Sequence, residues 1–409
     1  MKAHPMPVLR LIWHDPTLRL VTLAFALLGA FACTFAPYQS LIAVERLGLS
    51  DAAYALVLVL ASVLGVSGAI AAGIITDQRA NRRQMALGAA ILSLAGTALM
   101  WAAPGPWGFV LAHAVILPLG GSLFGQIFAL SRLAAGAYPA QRDSIQSAVR
   151  AVFALPFVIV LPLWSLAFSA GVGVMAVYPA ATLLALGLLA LIWRFWPQDG
   201  RTVWADPKSG LSFVQSLAEM ANRRVLIRVV LLGAVNTAVA LYMVLIGLVF
   251  HDTPGRDEAD VALFVGLVAG LEVPFMLAMP LALRLACKTV LIAAGAALYA
   301  AYLIALPLLA ASPLVWLLTL PCAIGGAAIL ALPIAYLQDL MAARPGAGSS
   351  LMALQRVVGD GFCATAFAIG TFASGYGLAA VLGGACTLAG GLGLLWVDRR
   401  RGQRAQAVV

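Results

Sequence analysis

The chain has 409 residues, of which 63% are hydrophobic and only 10% are charged, and its mean hydropathy is +1.00. Soluble domains are roughly half apolar and roughly a quarter charged, so this composition excludes a soluble enzyme or nucleic-acid-binding protein as well as a disordered chain. The formal net charge is +9. In a membrane protein, positive charge first indicates which loops lie on the cytoplasmic side. The sequence therefore predicts an all-α integral membrane protein.

Apolar runs separated by charged or Pro/Gly-rich breaks predict twelve membrane-spanning helices. A span needs about 20 apolar residues, and each must be helical because lipid offers an open backbone no hydrogen-bond partner. A β-barrel would instead show alternating segments of about ten residues. In chain order the predicted spans cover residues 18–44, 52–75, 84–103, 107–133, 144–169, 172–196, 225–250, 260–283, 289–309, 313–340, 350–374 and 376–397.

Lys and Arg residues are distributed unevenly between the loops. With a cytoplasmic N-terminus, 21 of the 25 lie in the tails and loops of the cytoplasmic side or at the adjoining ends of the spans, and two lie in outer loops. The remaining two, Arg150 and Arg356, lie inside spans. The positive-inside rule therefore predicts that both termini are cytoplasmic. The Ala- and Arg-rich composition indicates a bacterial source, and hence the bacterial inner membrane.

The longest break between spans, residues 197–224, divides the chain into two sets of six spans. Its mixture of charged and aromatic residues is typical of a cytoplasmic linker that lies partly on the membrane surface. We expect residues 1–196 and 225–409 to form one six-helix bundle each. A shift of 206 residues aligns four residue pairs in matching topology, which indicates two parallel, pseudo-symmetric halves. The pairs are Gly120 with Gly326, Pro139 with Pro345, Ser144 with Ser350, and Arg150 with Arg356.

The loop between the second and third predicted spans carries a recognisable motif. It reads GIITDQRANRR from Gly73 to Arg83, with an acid, Asp77, four residues after the glycine and a basic cluster after the acid. This loop resembles the signature of the major facilitator superfamily, and the twelve spans and their six-plus-six division extend the resemblance to the whole chain. It implies the major facilitator fold, in which two pseudo-symmetric six-helix bundles make up twelve transmembrane helices.

Two other segments are similar to the sugar efflux transporter family within that superfamily. They read QIFALSR from Gln126 and YLQDLM from Tyr336. The resemblance implies a monomeric secondary active transporter that exports small sugars or sugar analogues by proton-coupled alternating access. The alternative is a multidrug/proton antiporter that exports amphipathic compounds. Drug antiporters often carry an acid in helix 1, and residues 18–44 contain none.

Polar side chains within spans are costly, so each needs a partner or a water-filled cavity. Glu272 is about 18 Å into the predicted eighth span, near the membrane midplane. It has no basic neighbour in the sequence, so its carboxyl group could bind and release a proton, or it could be a neutral structural group bonded to a neighbouring helix. Arg356 and Asp360 share one helical face, where they form either a local ion pair or a pair that substrate or proton switches.

Six polar residues are predicted to line one central cavity between the halves, where secondary transporters bind substrate. The amides of Gln126 and Asn236 suit hydroxyl-rich ligands, although amides also hold helices together. Arg150 has either a structural role or a place in the cavity wall. The predicted substrate-binding residues are Gln39, Gln126, Arg150, Asn236, Glu272 and Arg356, and proton coupling is assigned to Glu272 and Asp360.

The resemblance also implies a cytoplasmic latch. Asp77 would sit against the positive N-terminus of the eleventh span in one state and leave it in the other. Arg82 and Arg83 would add ionic contacts to Asp339 or another inner acid. Alternatively, these residues only enforce topology.

The sequence contains no motif of an enzyme or of an ATP-driven pump. A nucleotide-binding loop, HExxH and GxSxG are all absent, and the five cysteines form no CxxC pair. We therefore expect neither enzymatic activity nor a cofactor, metal site or disulfide. The expected partners are a saccharide-like small molecule, protons and membrane lipid, with no nucleic acid.

Overall fold

The computed structural model describes residues 8–79, 82–198, 222–340 and 345–406. Twelve long helices, named α1 to α12 here, follow one another along these ranges, and each predicted span falls on one of them. A short helix, Val8–His14, precedes them. The bounds are α1 Pro16–Arg46, α2 Asp51–Arg79, α3 Arg82–Ala102, α4 Pro106–Ala135, α5 Arg142–Ser169, α6 Val177–Phe195, α7 Arg223–His251, α8 Glu258–Leu285, α9 Lys288–Leu309, α10 Thr319–Leu340, α11 Pro345–Ala373 and α12 Tyr376–Gln406.

Within the described ranges, eleven helices are long and apolar enough to cross a membrane. The twelfth long helix, α11, has 29 residues and occupies the place of the predicted eleventh span. The prediction of an all-α membrane protein with twelve spans is therefore confirmed. Most helix ends fall within a few residues of their predicted positions. The largest differences are the starts of α6, α10 and α11, at Val177, Thr319 and Pro345, and the end of α12, at Gln406.

Helix α1 is continuous but changes its winding near its C-terminal end. It is α-helical over Pro16–Phe35, passes through a 3₁₀ turn at Ala36–Tyr38 and ends in a π-helical turn at Ile42–Arg46. The change coincides with Pro37, which has no backbone N–H to donate and whose ring excludes the normal α-helical bond. The last third of α1, beyond Pro37, can therefore take a different direction from the first two thirds.

The chain divides into two compact units. One contains residues 1–36 and 63–210, and the other contains residues 37–62 and 211–409. The C-terminal end of α1 and the start of α2 thus belong to the unit of the C-terminal helices, which the sequence did not indicate. Gly247 of α7 makes this packing possible, because an added Cβ would lie only 3.3 Å from the Pro37 carbonyl oxygen and from the Leu41 Cβ.

Both units repeat the same helix pairings. In the first, α1 packs on α5 and α6, and α3 packs on α6 and α4. In the second, the equivalent helices pair in the same way, since α7 packs on α11 and α12, and α9 packs on α12 and α10. Close backbone approaches support both sets, as at Gly29, where a Cβ would lie 2.2 Å from the Phe153 carbonyl oxygen. The two bundles are therefore pseudo-symmetric in their internal packing.

Candidate functional site

Glu272 lies in the middle of α8 and its carboxyl group meets α10 at Gly326. Asp257 caps the start of α8 by accepting hydrogen bonds from the backbone N–H groups of Ala259 and Asp260 at 2.9 and 3.1 Å. A Cβ added at Gly326 would lie 2.2 Å from Oε1 of Glu272, so any side chain there would displace the carboxyl group. The glycine therefore forms the notch in which the carboxyl group sits.

Three tyrosines enclose this notch from the neighbouring helices. Tyr242 of α7, Tyr299 of α9 and Tyr302 of α9 are all buried, with relative exposures of 3%, 1% and 0%. Their ring centroids lie 5.4–6.3 Å apart in edge-on pairs. Cys322 of α10 is fully buried beside the Tyr299 and Tyr302 hydroxyls. We call Glu272, Gly326, Cys322 and the three tyrosines the Glu272 cluster.

The Glu272 carboxyl group has no charged partner within the part of the chain that the structure describes. It forms no ion pair and accepts no hydrogen bond there, although the residue is half-buried. The Tyr242 hydroxyl, one helix away, is also buried without a hydrogen-bond partner among the described residues. An unpaired carboxylate in such surroundings is costly, so the arrangement favours a group that takes up a proton.

A second set of polar residues lies where α7, α11 and the start of α2 meet. A Cβ at Gly359 of α11 would lie 2.9 Å from Nδ2 of Asn236, which places the amide directly against α11. The next residue, Asp360, accepts a hydrogen bond from the Ser62 hydroxyl at 2.8 Å. Its Oδ2 also lies 3.8 Å from Nε of Arg356, whose side chain is 78% exposed. We call Asn236, Asp360, Arg356 and Ser62 the Asp360 cluster.

The two clusters occupy different faces of α7. Asn236 and Tyr242 are six residues apart, and six steps of about 100° place them about 120° apart around the helix axis. Asn236 faces α11, whereas Tyr242 faces α9. Asn236, Arg356 and Asp360 are thus brought together, while Glu272 lies with the tyrosines in the interior of the C-terminal helices.

The other predicted residues have separate positions. Gln126 of α4 is 5% exposed, and its Oε1 has no hydrogen-bond partner among the described residues. Gln39 is half-buried just beyond the 3₁₀ turn of α1. The backbones of Arg150 and Asp77 lie in α5 and α2, but their side chains are outside the described part of the structure.

The predicted latch residues have partners of their own. Nη2 of Arg83 donates to the Trp193 carbonyl oxygen at 2.7 Å. Asp339 is exposed and forms an ion pair with Lys288 at the start of α9. Arg82 is half-buried at the start of α3. The sequence did not indicate the Lys288 pair, because the two residues lie on different spans.

Sequence reasoning also missed the tyrosines of the Glu272 cluster. Tyrosine in a membrane protein is usually assigned to the interface with water, where its ring is apolar and its hydroxyl is wet. The one available signal was depth, since Tyr299 and Tyr302 lie midway along α9 and are three residues apart, which places them on the same side of that helix.

Comparisons with known proteins agree with this architecture. A family model described as Major Facilitator Superfamily matches residues 2–159. A Deinococcus radiodurans protein named "Putative sugar efflux transporter" is 29% identical over 395 residues, covering 93% of this chain and 97% of that protein. Over residues 2–159 the chain is therefore similar to the Major Facilitator Superfamily. The described residues contain no group of three or more His, Cys, Asp or Glu side chains able to hold a metal ion.

Solved structures show the same fold at low sequence identity. The crystal structure of nucleoside transporter NupG matches with a TM-score of 0.75 and 12% identity, covering 94% of this chain and 99% of that one. A POT family transporter in complex with 5-aminolevulinic acid matches with a TM-score of 0.74 and 12% identity, covering 93% and 96%. The twelve helices therefore form the two pseudo-symmetric six-helix bundles of the major facilitator fold.

Proposed function

We propose that this membrane transporter exports small sugars or sugar analogues by proton-coupled alternating access. The observation that carries the sugar class is the likeness, over almost the full length of both chains, to the protein named "Putative sugar efflux transporter". The available polar groups suit such a ligand, because the amides of Asn236 and Gln126 can each donate to and accept from hydroxyl groups. Substrate-binding roles are proposed for these two residues and for Gln39, Arg150, Glu272 and Arg356.

Proton coupling is proposed for Glu272 and Asp360. Glu272 is a carboxyl group without a charged partner among the described residues, and Asp360 is a carboxyl group shared between a serine and an arginine. Loss or gain of a proton changes the free energy of each arrangement, because an unpaired charge away from water is costly. Either group can thus link proton binding to a change of conformation.

The remaining proposals concern the two bundles, the latch, the oligomeric state and the membrane in which the protein lies. Residues 1–196 and 225–409 act as two bundles joined by the cytoplasmic linker 197–224. Asp77, Arg82, Arg83 and Asp339 form the latch of the cytoplasmic side. The protein is a monomer in the bacterial inner membrane with both termini in the cytoplasm, as the distribution of Lys and Arg favours.

Reconstitution tests the function directly. Purified protein in vesicles is given a panel of labelled neutral sugars, with and without a pH gradient, and cationic dyes are tested in parallel. We expect gradient-dependent movement of at least one sugar and no dye transport. Dye transport without movement of any sugar would instead establish the drug antiporter. Uphill sugar movement that is insensitive to the pH gradient would remove proton coupling.

Two amide variants test the binding site. Asn236→Leu removes an amide of the Asp360 cluster, and Gln355→Leu removes a buried amide of α11 whose Nε2 lies 3.5 Å from the Leu232 carbonyl oxygen. We expect Asn236→Leu to weaken sugar affinity, whereas Gln355→Leu affects stability alone. If both variants lose stability and retain affinity, Asn236 only holds α7 against α11.

A further inference from the structure

The Glu272 cluster has the features of a self-contained site within α7 to α10. Its carboxyl group and its tyrosines come from three different helices, and Gly326 of a fourth supplies the space for the carboxyl group. The Tyr299 ring edge, at Cε2, and Oε1 of Glu272 surround the same point, since they lie 3.4 and 2.2 Å from a Cβ built at Gly326. The ring and the carboxyl group are therefore immediate neighbours.

The titratable groups that face Glu272 are all neutral acids. They are Tyr242 from α7, Tyr299 from α9 and Cys322 from α10, each close enough to interact electrostatically with the carboxylate. No basic group of the described residues acts on Glu272. A carboxylate here can gain stabilisation only from hydrogen-bond donors, and a hydroxyl that donates to a charged group contributes about 1.5–3 kcal/mol.

The Tyr242 hydroxyl is the unused donor that interacts with Glu272. The Tyr242 and Tyr302 hydroxyls are both buried without a hydrogen-bond partner among the described residues, but only Tyr242 of the two interacts electrostatically with Glu272. A hydroxyl proton can rotate about the C–O bond, so the same group can serve a neutral or a charged neighbour. Glu272 itself keeps partial exposure.

We propose that the Glu272 cluster is a proton-binding site inside the C-terminal helices and is separate from the Asp360 cluster. Tyr242 is its positioning residue: its hydroxyl donates a hydrogen bond to the carboxylate when Glu272 has lost its proton. When Glu272 takes up a proton, the proton binds to a carboxylate oxygen and the hydrogen bond from the Tyr242 hydroxyl to that carboxylate breaks. The inference rests on the proposed function and deepens it, because it assigns the coupling proton to Glu272 rather than to Asp360.

Infrared titration of the purified protein in lipid nanodiscs tests this site without any sugar. The protonated carboxylic C=O band is followed against pH in the wild type and in Glu272→Gln. We expect a titrating band in the wild type that the variant lacks. A band of unchanged intensity in Glu272→Gln would overturn the proposal. If Glu272→Gln does not fold, Glu272→Asp must retain a titrating band whose midpoint has moved.

Two tyrosine variants separate positioning from packing. Tyr242→Phe removes the proposed donor, and Tyr302→Phe removes an equally buried hydroxyl that has no electrostatic interaction with Glu272. We expect the protonated band to persist to more alkaline pH in Tyr242→Phe, while Tyr302→Phe titrates like the wild type. Identical titrations of both variants and the wild type would refute the role of Tyr242. Since no sugar is present, a failed sugar assay with this titration intact would refute the sugar function alone.

Discussion

Arg46 at the end of α1 donates a hydrogen bond from Nη2 to Oε1 of Glu258 at the start of α8, at 2.7 Å. The preceding residue, Glu45, lies 3.6 Å from Nε2 of His251 at the end of α7. Two adjacent residues of α1 thus meet partners on two C-terminal helices. These contacts hold residues 37–62 to the compact unit that contains the C-terminal helices. The charge distribution predicts that they lie on the extracellular side.

Reversing the charge of Arg46 should loosen this end of the molecule. The Arg46 and Glu258 side chains are 48% and 20% exposed, so the pair contributes at most about 1 kcal/mol, or about a fivefold change in population. We expect Arg46→Glu to increase labelling of a cysteine placed at Ser50 by up to that factor. The double variant Arg46→Glu/Glu258→Arg should restore wild-type labelling. Equal labelling of all three proteins would show that the pair does not control access.

The Ser62–Asp360 hydrogen bond should contribute more, because it is partly buried and its acceptor is a carboxylate. Ser62→Ala leaves Asp360 with Arg356 alone, and we expect a loss of about 1.5–3 kcal/mol of contact energy between α2 and α11. The measurement is the rate of sugar exchange, which should change about tenfold or more. Asp360→Asn is the control, since it keeps an acceptor for Ser62 while losing the charge. Exchange unaffected by Ser62→Ala would mean that the contact stays closed throughout transport.

The Glu272 notch should not tolerate a methyl group. Gly326→Ala would place a Cβ 2.2 Å from Oε1 of Glu272, and such overpacking typically costs about 1–3 kcal/mol. We expect a lower unfolding temperature and a loss of proton-driven uphill export. Gly361→Ala on α11 is the matched control, because no atom lies within 4 Å of its added Cβ. That control should be neutral or stabilising, as Ala favours helix. Equal unfolding temperatures for both variants would contradict the notch.

Cys287 offers a native reporter of topology. It is exposed between α8 and α9, whereas Cys33, Cys322 and Cys363 are buried and Cys386 is half-buried. The hydroxyl of Thr289 and the backbone N–H groups at the start of α9 lower the pKa of the Cys287 thiol, so its reactive thiolate forms more readily.

A membrane-impermeant maleimide should therefore label the protein in inside-out vesicles and not in intact cells. Labelling should rise with pH toward neutrality and should disappear in Cys287→Ser. Labelling of intact cells would place this loop outside and reverse the predicted orientation.

The sequence predicted the helices well because the membrane dictates them. Length, hydropathy and the absence of backbone partners in lipid decide where each span lies, and the likeness of the halves follows from the residue pairs such as Gly120 and Gly326. These properties do not determine how each helix is rotated about its axis, and therefore not which neighbouring helix a side chain faces. Depth alone assigned Glu272 and Asn236 to one chamber, whereas packing places them beside different helices.

Long-range partners were equally inaccessible from the sequence. The Asp360–Ser62 bond joins residues 298 positions apart, and the Arg46–Glu258 pair joins residues 212 positions apart. Only the local Arg356–Asp360 pair could be read from spacing, because its members are four residues apart on one helix. The spacing of Tyr299 and Tyr302 places them on one side of α9 but does not show which neighbouring helix they meet.

The change of winding at Pro37 has a consequence for how the gene could be divided. Since the segment beyond it packs with the later helices, a fragment starting at residue 222 would be made without the piece of α1 that rests against Gly247. Two separately translated polypeptides, split within the connection between α6 and α7, should consequently recognise each other and assemble without a covalent join.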